Sequence, residues 1–116
     1  MPKRGDRVAP PSAPGEWQLR FAETAAATGW EALCQQAPGP TRAAYDTLRL
    51  RPQTPTNPRR QHRLRGDLGS RLVGGQALEQ WQLEVTGAGR VWYAIDPDAK
   101  RVWVTRASPG HPPETD

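Results

Sequence analysis

At 116 residues, the chain holds one domain with a modest core and leaves no room for a second. Its 16 Lys and Arg against 12 Asp and Glu give a net charge of +4, unevenly spread: positions 49–71 carry seven arginines and one acid, Asp67, so that stretch is +6 and the remainder −2. One cysteine, Cys34, excludes an internal disulfide or a thiolate metal cluster and reads as a small buried hydrophobe. No apolar run approaches the ~20 residues that span a bilayer. With no signal-peptide stretch after Met1-Pro-Lys-Arg-Gly, a cytoplasmic location away from membranes is expected.

In chain order, residues 1–14 read as a flexible basic leader, 15–108 as the folded domain and 109–116 as a flexible tail, because prolines and glycines crowd the two ends. Positions 16–21 alternate Trp17, Leu19 and Phe21 with polar residues, which predicts a half-buried strand. Over 22–37, Ala26, Trp30, Leu33 and Ala37 form one apolar stripe at helical spacing, with Gly29 a weakening insert. Pro38-Gly39-Pro40 is expected to end that helix and Thr41 to open a second, reaching about Arg51 with Ala44, Tyr45 and Leu48 on one face. Prolines 52, 55 and 58 make 52–60 an extended connector.

Four strands are then expected over 68–73, 78–86, 90–95 and 100–107, separated by Gly74-Gly75, Gly87-Ala88-Gly89 and Asp96-Pro97-Asp98-Ala99. Trp81, Leu83 and Val85, then Val91, Tyr93 and Ile95, then Val102 and Val104 alternate with polar neighbours, so one sheet face is apolar. The expected fold is α+β, in the order β-α-α-β-β-β-β, with a twisted antiparallel sheet packed on a helical hairpin. Trp17, Trp30 and Trp81 fall on the core side, and Trp92 and Trp103 on a concave polar face, where an exposed indole suits base stacking.

The chain has two histidines, His62 and His111, both in its C-terminal half. Histidine is the side chain suited to proton transfer near neutral pH, so an arginine-rich setting points to acid/base chemistry on a polyanion, RNA above all. Arg90, just past a Gly-Ala-Gly turn and on the polar face, is placed for a bidentate phosphate contact, or else for a cross-strand pair with Glu84. Arginine in place of lysine at 14 of 16 basic positions also follows from a GC-rich coding sequence. No phosphate-binding glycine loop or metal-ligand spacing is present, so neither cofactor nor metal is expected.

The words His62-Arg63-Leu64-Arg65-Gly66, Gly89-Arg90-Val91-Trp92-Tyr93 and Arg106-Ala107-Ser108-Pro109-Gly110-His111, in this order and strand context, resemble the RelE/ParE superfamily of small bacterial toxins, especially its ribosome-dependent messenger-RNA endonucleases. The resemblance spans about residues 16–112 and implies a RelE-like fold and an mRNA interferase of a type II toxin-antitoxin system. Such an enzyme cuts messenger in the 30S decoding region without a metal, inhibits translation, and is neutralised by a cognate antitoxin. It further implies His111 as general acid, His62 as general base and Arg90 on the scissile phosphate; Glu84, where several members carry lysine or arginine, departs from the pattern and is the alternative base. Arg63 and Arg65 follow as substrate contacts, and Arg59, Arg60 and Arg71 as part of a wider RNA surface. Members of the ParE kind imply the alternative of a non-catalytic gyrase inhibitor, and an RNA-binding translation blocker is a further one.

Overall fold

The computed structural model describes residues 2–110. The strand at Gln18–Phe21 (β1) leads into a helix at Thr24–Gln36 (α1), where Ala26, Trp30 and Leu33 are buried as the helical spacing predicts and Ala27 is buried beside them; Ala37 caps the helix and is only half-buried. The second helix, Pro38–Leu50 (α2), begins three residues earlier than expected. Pro38 and Pro40 form its first turn because that turn has no intrahelical use for a backbone N–H. Thr41 is therefore not a cap: its Oγ1 donates to the Leu33 carbonyl at the end of α1, 3.1 Å away.

The remaining strands are Gln61–Arg63 (β2), Ser70–Val73 (β3), Gln76–Glu84 (β4), Arg90–Asp96 (β5) and Arg101–Ser108 (β6), with a 3-10 turn at Gly66–Gly69. They complete a six-stranded sheet of order β1-β6-β5-β4-β2, in which β3 shares the outer edge of β4 with β2. The sheet is mixed rather than antiparallel, because β1 runs parallel to β6. No hairpin links those two strands, so nothing local fixes their relative direction. β2 adds a strand to the expected order; its three residues are too few to show alternation.

One sheet face meets the helices. Leu83, Val85, Val91, Tyr93, Ile95, Val102 and Val104 close on Trp30, Leu33, Tyr45 and Leu48, with Trp17, Cys34 and Trp81 packed at the margin. Each large side chain so buried contributes about 1.5–3 kcal/mol. Part of the leader docks on β1: Val8 N donates to Leu19 O and Phe21 N to Asp6 O, both at 2.9 Å, and Val8 belongs to the core. No helix among the described residues is long and apolar enough to cross a membrane.

The opposite face is open over only part of its length. Near the 3-10 turn Gln80 is buried, its Nε2 donating to Leu68 O at 2.9 Å and its Oε1 accepting from Thr105 Oγ1 at 2.5 Å. The sheet also curls until its two edges meet, for Arg71 on β3 bonds Glu23, just past β1, at 3.2 Å. What remains accessible is the half around β4, β5 and the end of β6.

Candidate functional site

Strand register builds the site. His62 faces Gln82, Gln82 faces Trp92 and Trp92 faces Arg106, so four side-chain positions cross the sheet in one row. The adjoining row sets Glu84 opposite Arg90 and Arg90 opposite Ser108. Gln82, Arg90, Trp92, Arg106 and Ser108 line a cleft of about 540 Å³, walled at one end by Gly87, Ala88 and Gly110. That volume lies within the range of small-ligand pockets. Gly110 sits at φ +117, and any Cβ there would meet Ala88 Cβ at 2.6 Å, so only glycine closes this wall.

Arg106 reaches the cleft through a β-bulge. Trp92 pairs with Arg106 but Tyr93 pairs with Val104, which leaves Thr105 as the extra residue. The bulge lets Val104 and Ala107 both stay in the core while the Arg106 guanidinium lies 5.0 Å from the Trp92 ring centroid. Arg90 Nη1 donates to the carbonyls of Thr86 (3.0 Å) and Gly89 (2.9 Å), and its Nη2 lies 3.9 Å from Glu84. Two carbonyls hold Nη1 and the Glu84 carboxylate lies beside Nη2, so Nε is the donor left to an incoming anion, with Nη2 shared.

His62 stands on the open face but does not line the cleft; two strand spacings, ~10 Å, separate its backbone from that of Trp92. Its Nδ1 lies 3.2 Å from the Arg63 carbonyl, which can only accept. In the neutral ring the proton is therefore on Nδ1, and Nε2 keeps its lone pair for accepting another. Next to it, the buried Gln61 fixes the strand, donating to Arg51 O at 2.8 Å and to Tyr93 Oη at 2.9 Å, while Tyr93 donates to Pro52 O at 2.7 Å.

Burial pushes the Tyr93 phenol far above its ordinary value, and burial with the Glu16 charge raises Tyr45 as well. A folded-state value above the unfolded one stabilises the fold below the unfolded pKa, near 10, and that stability is lost as pH rises beyond it. These are the only tyrosines in the chain. Alkaline titration at 295 nm should therefore show little phenolate near pH 10 and then a sharp rise coincident with loss of ellipticity. A smooth titration centred there, with the fold intact, would contradict the burial.

The other expected contacts scatter. Arg63 projects to the opposite face from His62, with Nε 3.1 Å from Gly69 O and Nη1 3.5 Å from Glu79. Arg71 closes the sheet edge on Glu23, and Arg60 Nη2 donates to Glu84 O at 3.2 Å. Arg59 and Arg65 are exposed on loops. Trp103 belongs to a separate cleft of about 460 Å³ with Arg4, Glu23, Arg71 and Val73, and Arg101 lies 5.7 Å over its ring. His111 lies outside the described residues; its chain predecessor Gly110 lines the first cleft. The structure thus unites Arg90 and Trp92, sets Glu84 beside them and His62 across Gln82, and adds Arg106 and Gln82. Gln82 was legible from its alternation with Leu83; Arg106 was hidden by the bulge. No protein family, curated protein or solved structure matches the chain.

Proposed function

We propose that the open half of the sheet binds single-stranded RNA and that the chain is a RelE/ParE-like endoribonuclease, cutting messenger on the ribosome and so inhibiting translation. The observation that carries this reading is the cleft itself, in which Arg90 and Arg106 flank the Trp92 indole. Two guanidiniums supply fixed charge for phosphate and the ring supplies a face for a base. The order of helices and C-terminal antiparallel strands, and the three sequence words, support the RelE-like assignment.

In this reading Arg90 and Arg106 hold the scissile diester. The Glu84 carboxylate, beside Arg90, takes the proton of the 2′-hydroxyl, whose oxygen attacks the neighbouring phosphorus; His62, which does not line the cleft, is the more distant alternative base. The bond to the 5′-oxygen breaks, His111 protonates that leaving oxygen, and a 2′,3′-cyclic phosphate remains. The guanidiniums stabilise the charge that builds on the phosphorane. Partners would be messenger RNA, the ribosome and an antitoxin whose acidic helical segment covers the cleft.

The test is single-turnover cleavage on messenger-programmed ribosomes. Wild type is expected to cut and His111→Ala to be slower by about 10²–10⁴-fold; equal cutting by both, or none by either, defeats the mechanism. The Glu84–Arg90 pair favours a second reading, a binder that holds nucleic acid without cutting it. Messenger left intact while translation stops would support an RNA-binding blocker, and DNA-damage signalling on expression a gyrase inhibitor.

A further inference from the structure

We propose that Gln82 reads the edge of the base held beside Trp92 and, because Trp92 fixes its amide, selects guanine over adenine. The inference rests on the RNA-binding reading of the cleft and adds what that reading lacks, a determinant of sequence.

An indole Nε1 only donates, and that of Trp92 lies 2.9 Å from Gln82 Oε1. The bond fixes which way the amide is turned. Oε1 is engaged by Trp92, and the Nε2 amino group, which makes no hydrogen bond among the described residues, belongs to a side chain lining the cleft. Gln82 also sits in register between His62 and Trp92, at the centre of the row that crosses the open face.

A free glutamine suits adenine, because its oxygen accepts from N6 while its nitrogen donates to N7. The indole takes one of the two Oε1 lone pairs and fixes the amide with its oxygen toward Trp92, so Nε2 is the group left to face a base. Guanine presents two acceptors, O6 and N7, on the corresponding edge, whereas adenine sets a donor beside its acceptor. An amide that presents its Nε2 donors therefore matches guanine and sets donor against donor at the N6 amino group of adenine. The Arg106 guanidinium, 5.0 Å over the Trp92 ring, extends the stacking surface that would hold the base in reach. Cytosine, whose exposed amino group also donates, is disfavoured for the same reason.

The experiment is fluorescence anisotropy of the full chain with short cytidine strands that carry one central purine. All strands are 2′-O-methylated, so none can be cut. Wild type is expected to bind the guanine strand about tenfold more tightly than the adenine strand, and 7-deazaguanine, which lacks the N7 acceptor, is expected to lose much of that preference. Gln82→Glu replaces the donor by an acceptor and should turn the preference toward adenine. Trp92→Phe removes the indole N–H and frees the amide to turn; it should weaken every strand yet bring the guanine-to-adenine ratio toward one. Equal binding of guanine and adenine strands by wild type, or an unchanged ratio in Trp92→Phe, overturns the role of Gln82 and leaves the RNA-binding reading standing. Failure of wild type to bind any strand defeats both.

Discussion

A Gly29→Ala variant is expected to be less stable than wild type by about 2–3 kcal/mol and to melt about 10 °C lower. The sign is the informative part. Gly29 lies inside α1, where alanine normally stabilises a helix by up to about 1 kcal/mol. Here a Cβ would overlap the Ala107 carbonyl oxygen and crowd its carbon at 2.7 Å, both backbone atoms of β6 that no rotamer change can move. The helix must lift from the sheet, and Trp30 and Leu33 with it. Thermal unfolding followed by circular dichroism checks this; an unchanged or raised melting temperature would mean that α1 does not rest on β6 as described.

Arg106→Ala is expected to weaken binding of short single-stranded RNA by about tenfold, the loss of one charged hydrogen-bonding contact. The dependence on salt should flatten by about one phosphate contact. The control is Arg63→Ala, which removes the same charge from the opposite sheet face, where Glu79 and the Gly69 carbonyl hold it. A diffuse basic surface would respond equally to both substitutions, whereas a built cleft responds to Arg106 alone. Titrations at several salt concentrations separate the two cases.

The core strands were legible because each has enough residues to repeat. Leu83 and Val85, then Val91, Tyr93 and Ile95, and Val102 with Val104 alternate in the sequence and are buried in the structure. Of the stripe Ala26, Trp30, Leu33 and Ala37, the first three are equally buried, while Ala37 falls at the end of the helix. What escaped was set by contacts distant in the chain. β2 has three residues, and the parallel pairing of β1 with β6 has no local signature.

Val8 is one apolar residue in a proline-rich leader, and its docking depends on the free edge of β1. Arg71 reads as another cation in a basic run until the curl of the sheet brings Glu23 to it. At the site, Arg90 and Trp92 follow from strict alternation, but counting in twos from Val102 and Val104 assigns Arg106 to the core. Only the extra residue at Thr105 turns it outward. Bulges of this kind break a periodic pattern where a strand is re-aimed.

The claim on which these expectations converge is that RNA lies across the end of β5 and β6. Photo-crosslinking of a 2′-O-methylated oligoribonucleotide to the full chain, with the attached peptides mapped by mass spectrometry, tests it directly. Cross-links concentrated at 87–92 and around Arg106 are the result expected. Cross-links confined to α1 and α2, or to the Trp103 cleft, would place the nucleic acid elsewhere and contradict the account.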